Sequence, residues 1–290
     1  MTQINIVKTK MRAPRICCYG QHGIGKSSLG ASAPSPLFID LEGGLEALGV
    51  DATERCNYFQ DVLDAIDYLT KEQHSFKTVV IDTLDWLEKL IYADVCAQLG
   101  KSDIAEVGFG RGYVAAETRW AKLFKALDEL RESKNLITIL NCHARIVEFK
   151  DPERENYDTY TLDLYQGKNV DTVNMVCEWV DILAFLNYKV IATKGDGIAD
   201  KAKAKGTGQR YMFFKQKPSF LAKCRYSGFP DSLEFVEGSG WGAIAGELKK
   251  FKAAQKDKEP VKVAAPAAGN LVAVREEREV NKQTTVIVGE

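Results

Sequence analysis

The octet Gly20-Gln21-His22-Gly23-Ile24-Gly25-Lys26-Ser27 sets glycines ahead of a lysine and a hydroxyl, the pattern GxxxxGK[ST]. The glycines let successive backbone N–H groups turn inward, so the loop can cradle phosphate oxygens, and a following helix adds its positive end. Lys26 would reach the β- and γ-phosphates, and the Ser27 hydroxyl would be a hard oxygen ligand for Mg²⁺. The pattern predicts a site for ATP with Mg²⁺ built from Gly20, Gln21, His22, Gly23, Ile24, Gly25, Lys26, Ser27 and Ser28. A chance match in a strand–helix turn is the alternative. The apolar run before the octet and the helical pattern after it speak against chance.

A second landmark is Thr78-Val79-Val80-Ile81-Asp82-Thr83, an apolar run ending in a carboxylate. Asp82 at the end of a central strand would hold the same Mg²⁺ as Ser27; capping the next helix is its structural alternative. Hydrolysis also needs a carboxylate that positions and polarises water. Many ATPases with this loop put a Glu directly after the metal-binding Asp. Here that place is Thr83, so the base must come from elsewhere, and Phe38-Ile39-Asp40-Leu41-Glu42-Gly43-Gly44-Leu45 offers Glu42.

These side chains need a frame. Short apolar runs at 15–19, 37–40, 78–82, 136–141 and 181–190 alternate with helical patterns, which predicts a parallel sheet flanked by helices. Trp120, Leu123, Phe124, Leu127 and Leu130 follow helical spacing. After residue 188 the pattern changes to hairpins: arms at 188–193 and 210–215 flank a Gly/Lys/Ala-rich loop. A further strand is expected at 219–224, and Trp241, Ile244 and Leu248 suggest a closing helix. Residues 1–12 read as an N-terminal segment and candidate interface strand, 13–250 as the α/β core with a C-terminal β-hairpin extension. Residues 251–290, rich in Lys, Glu, Ala and Pro, read as a flexible tail.

A net charge of −1 gives no global pull toward nucleic acid or membrane, so any such contact must be a local patch. Seven cysteines show no metal-ligand spacing and read as reduced thiols. Nothing resembles a signal peptide or a membrane span, so a soluble intracellular protein is expected.

FIDLEGGL resembles the segment after the second strand of bacterial RecA, where a Glu is the catalytic carboxylate; the resemblance implies that role for Glu42, with a helix cap as the bland alternative. Ile139-Leu140-Asn141-Cys142-His143-Ala144-Arg145 resembles the strand whose end senses the γ-phosphate, and His143 takes the sensor's place; a buried structural histidine is the alternative. Ala222-Lys223-Cys224-Arg225 resembles the Lys-x-Lys strand end that contacts the neighbouring subunit's ATP, which implies that Lys223 and Arg225 act across an interface. These segments follow RecA order over about residues 13–236, without room for RecA's terminal domains. The runs GKSSLGASAPSPLFIDLEGGL, GFGRGY and AKCRYSGFP together resemble core-only RecA-like ATPases of phages and prophages, among them single-strand annealing proteins.

That resemblance implies a RecA-like P-loop NTPase core in the bacterial cytoplasm, head-to-tail self-assembly with ATP between subunits, and single-stranded DNA as partner. A single-strand-binding protein is a candidate accessory. Two loops, 100–112 and 144–168, would face the DNA. The first offers Lys101, Phe109 and Arg111, and the second offers Arg145 among tyrosines and acidic residues. The hairpin loop adds Lys201, Lys203 and Lys205. Aromatics among cations can stack bases and neutralise phosphates without reading sequence; plain solvated loops are the alternative. Two other functions fit the same core: a nucleotide-gated annealing module with negligible hydrolysis, and a ring-forming helicase-type motor.

Overall fold

Along β1 (Arg15–Gly20) the apolar side chains alternate: Ile16 and Cys18 enter one core, Cys17 and Tyr19 the other. A strand buried on both faces requires helices on both sides of its sheet. The computed structural model describes residues 11–153, 155–193, 203–236 and 238–256. It shows the expected mainly parallel sheet flanked by helices. The parallel part has the order β7 (Ile182–Thr193), β1, β5 (Ile137–Phe149), β4 (Thr78–Asp82), β2 (Pro36–Asp40), β3 (Asp51–Ala52).

One face is covered by α2 (Phe59–Lys71), α3 (Leu84–Leu99), α4 (Arg111–Lys134) and α5 (Thr172–Trp179). Trp120 of α4 is fully buried there, a side chain whose truncation costs ~3–5 kcal/mol. The other face is covered by α1 (Lys26–Ala31) through Leu29, and by α6 (Gly240–Lys256) through Trp241, Ile244 and Leu248. The closing helix is therefore where the spacing put it. No helix among the described residues is long and apolar enough to cross a membrane.

Beyond β7 the sheet turns antiparallel. β8 (Lys203–Phe213) pairs with β7 from Phe185↔Phe213 to Thr193↔Lys203, a longer hairpin than the expected arms. β10 (Ser232–Phe235), which carries no strong sequence signal, adds to β8. The strand expected at 219–224 shrinks to β9 (Lys223–Cys224), paired to the start of β7. Pro218 cannot donate to a ladder, and Lys217 and Phe220 exchange backbone hydrogen bonds in a tight turn instead.

The largest departure is at 144–168. Much of this expected loop is a ribbon: β5 continues to Phe149 and pairs antiparallel with β6 (Tyr157–Leu162), from Ala144↔Leu162 to Phe149↔Tyr157. The β-branched and aromatic residues on both arms, with Phe149 packed on Tyr157 at 5.2 Å, make cross-strand pairing more favourable than an open loop. Residues 251–256, expected to begin the flexible tail, instead continue α6; the expected N-terminal segment up to residue 10, Lys201 and residues 257–290 lie outside the described residues.

Candidate active site

Register brings the chemistry together. Gly20 lies beside His143, Cys18 beside Asn141, Asn141 beside Asp82, and Asp82 beside Asp40, all at the C-terminal ends of parallel strands. The octet leaves β1 at this edge and enters α1. Gly20 can only be glycine, because a Cβ there would stand 2.4 Å from the Leu186 carbonyl oxygen. Gly25 has φ 104°, a left-handed conformation that disfavours side chains, and its missing side chain faces Arg210 and Phe235.

A cavity of about 250 Å³ opens above the loop, lined by His22, Lys26, Ser27, Ser28, Glu42, Asp82, Thr83 and His143 among others. Gln21 is exposed and Ile24 is buried in the core, so both serve the loop through backbone rather than side chain. Lys26 folds back on its own loop, donating to the carbonyls of Gly20 and Gln21 at 3.1 Å each. Burial lowers its pKa, and Asp82, Asp85 and Glu42 pull it back up. Asp82 is buried, which raises its carboxyl pKa, while hydrogen bonds from Ser27 and Asn141 favour the charged form. Ser27 Oγ donates to Asp82 Oδ2 at 2.6 Å and Asn141 Nδ2 to Asp82 Oδ1 at 3.2 Å. Two hard oxygens side by side, with the far carboxylate oxygen held, suit a small cation such as Mg²⁺.

Asp85 and the partnership of His22 went unread in the sequence. The His143 backbone N–H donates to Asp85 Oδ1 at 3.1 Å, and its ring Nδ1 pairs with Oδ2 at 3.0 Å. Burial alone would raise the Asp85 carboxyl, but His143 holds it down at about 2. The His143 ring stacks on His22 at 3.8 Å. Asp85 sits in the first turn of α3, three residues past a strand-end Asp; that spacing is a usable signal. His22 occupies a free position of the octet, where no pattern singles it out.

Lys223 and Arg225 lie at the opposite edge, a strand length from the pocket, roughly 20 Å. Lys223 Nζ donates to the carbonyls of Cys177 and Val180 at the end of α5. Arg225 Nη1 donates to Asp181 Oδ1 at 3.2 Å, and Nη2 to the Glu178 carbonyl. Among the expected nucleic-acid contacts, Lys101, Phe109 and Arg111 are exposed, Phe109 at 95% and with φ 58°. Arg145 is half-buried, and its Nη2 donates to Gln166 Oε1 at 3.3 Å. Tyr113, just past the first loop, stacks on Tyr165 at 3.9 Å and so ties that loop to the base of the β5–β6 ribbon. Lys203 and Lys205 lie on β8, opposite Thr193 and Ile191.

A family model described as an AAA domain matches residues 12–226, a span that takes in the whole pocket and every parallel strand. No curated protein matches the chain. Fold and match agree, and the chain belongs to the AAA-domain family, as a P-loop ATPase.

Proposed function

We propose that the protein is an ATP-driven, single-stranded-DNA-binding recombination or annealing protein of RecA-like type, working as a head-to-tail oligomer. One observation carries the reading: β5 runs without interruption from His143 in the pocket into the ribbon it forms with β6. A change at the γ-phosphate would be felt by His143 and passed along the same strand to Ile146 and Phe149, which are exposed apolar groups on the ribbon. Phe109, anchored nearby through the Tyr113–Tyr165 stack, supplies a further ring for a base.

In this reading Lys26 and the loop amides hold the phosphates, and Ser27 and Asp82 hold Mg²⁺, which would neutralise charge on the β- and γ-oxygens. Glu42 orients the water that attacks the γ-phosphorus as the bond to the β–γ bridging oxygen breaks. Lys223 and Arg225 would approach a neighbouring subunit's nucleotide. Measuring ATP hydrolysis with and without single-stranded DNA tests the proposal, alongside electron microscopy with an ATP analogue. DNA-stimulated turnover and DNA-bound stacked subunits are expected. ATP hydrolysis that ignores DNA, in a protein that retains none, would overturn it.

A further inference from the structure

His22, Glu42 and His143 each offer one ligand atom, and those atoms all lie within 4.8 Å of one another. Among the described residues this is the one trio of histidine, cysteine or carboxylate side chains so placed. We propose that these three residues bind a divalent transition ion of the zinc class when nucleotide is absent, and that the ion locks the pocket.

The donor set points to that chemistry. Two imidazoles and a carboxylate suit zinc-class ions, whereas Mg²⁺ prefers oxygen alone, as at Ser27 and Asp82. His143 is already oriented: Asp85 holds Nδ1 at 3.0 Å, which leaves Nε2 as the lone-pair nitrogen. A carboxylate behind the ring is the usual support of a metal-bound histidine. The His22 ring, stacked on His143 at 3.8 Å, must swing out of that stack to aim a nitrogen at the ion; it is exposed on the loop and Glu42 is only half-buried, so both can move. Charge also favours a cation. Glu42, Asp82 and Asp85 all act electrostatically on Lys26, the one Lys or Arg among the described residues that lines the cavity, and it is occupied with loop carbonyls. An ion held here would pin His22 of the octet to Glu42, across the space where the γ-phosphate and attacking water belong. Metal and nucleotide would then exclude each other, a consequence that rests on the ATPase reading, whereas the metal site itself does not.

Cobalt(II) is the probe, titrated into the chelator-treated, nucleotide-free full chain. Equimolar binding is expected, with visible bands of a nitrogen–oxygen site and without thiolate charge transfer, which excludes the cysteines. His22→Ala, at an exposed position that leaves the fold intact, should weaken binding at least ~10-fold, as should His143→Ala. Asp85→Asn should weaken it ~10-fold to ~100-fold. Wild-type affinity in His22→Ala, or a thiolate band, overturns the site. With free cobalt held by a metal buffer, adding ATP and Mg²⁺ should lower occupancy. Unchanged occupancy, with His22→Ala still weakened, would refute the mutual exclusion alone.

Discussion

The two ends of the parallel strands both gather charge, but they dispose of it differently. At the strand starts Asp181 accepts from Arg15, Arg131 and Arg225 at 3.1–3.2 Å, and Asp128 takes the other side of Arg15 at 3.0 Å. Burial would raise the Asp181 carboxyl pKa, but hydrogen bonds from Arg15 lead the group of interactions that lower it. This is a closed brace between β1, α4, β7 and the β9 strand end. At the strand ends, among the described residues, no ion pair joins Lys26 or Glu42; Lys26 leans on backbone carbonyls and Glu42 on the cavity. Charges that satisfy one another are costly to unpair, and charges held apart by backbone await a ligand.

That contrast can be broken most forcefully at Lys26 and Asp181. Lys26→Ala should lower ATP turnover ~100-fold to ~1000-fold, the cost of removing one pre-placed phosphate donor, while thermal unfolding changes little. Asp181→Ala should do the reverse: it removes the acceptor that three guanidinium groups share and should cost up to ~3–5 kcal/mol of stability, leaving nucleotide affinity unaltered. Chemical denaturation and ATPase assays on both variants check the pair. If Asp181→Ala abolishes nucleotide binding in a folded protein, the two edges are not separable. Glu42→Gln keeps the shape but removes the carboxylate; if Glu42 orients the attacking water as proposed, turnover should fall ~100-fold or more with ATP affinity within several-fold.

Arg225 tests whether the brace is only a brace. Its guanidinium is half-exposed, so losing its pair with Asp181 should cost at most ~1 kcal/mol in stability. If it also serves a neighbour's nucleotide, Arg225→Ala should lose much of the ATPase activity while the monomer's nucleotide affinity stays unaltered. Mixing Arg225→Ala with Glu42→Gln should restore turnover at interfaces that carry one intact copy of each. Mixed assemblies that never hydrolyse ATP would leave Arg225 with its Asp181 role alone.

The pocket was legible because its parts are local. The octet, the Asp82 strand end and Glu42 each announce themselves within a few residues, and parallel register then aligns them. The core was legible for the same reason, since Trp120 to Leu130 repeat at helical spacing. What stayed hidden depends on partners far along the chain. The β5–β6 ribbon looked like a loop because acidic residues mask its alternation, and only pairing reveals it. β10 is four residues whose reason is the edge of β8. Asp181 sits just before a strand, and nothing local tells that Arg15, Arg131 and Arg225 will converge on it. Lys223 shows how a resemblance can be silent about structure, because the same side chain caps α5 within its own chain.

An effect confined to pH dependence lies between the two edges, on α3. Asp85 and Glu88 are one helical turn apart, yet burial pushes the Glu88 carboxyl up to about 7 whereas His143 keeps Asp85 at about 2. Glu88 has weaker support: the Tyr165 backbone N–H donates to its two oxygens at 3.2 and 3.0 Å, Tyr92 and Thr172 add side-chain hydrogen bonds, and among the described residues no cation forms an ion pair with it. Its folded pKa exceeds its unfolded one, so the folded state holds the proton more tightly. The stability this contributes is complete below about pH 4.5, the ordinary glutamate value, and is lost as pH rises through about 7. The span is on the order of 3 kcal/mol at most, and relaxation around the ionised group reduces it. Glu88→Gln keeps an acceptor for Tyr165 but carries no titrating proton. Its unfolding midpoint in urea should therefore change less between pH 5 and pH 8 than that of the parent chain, and at pH 8 the variant should be the more stable of the two. Equal pH dependence in both proteins would mean that Glu88 is ionised throughout, its charge met by water or by Arg145. The contact between α3 and Tyr165 at the base of the ribbon would then be a charged one rather than a neutral hydrogen bond.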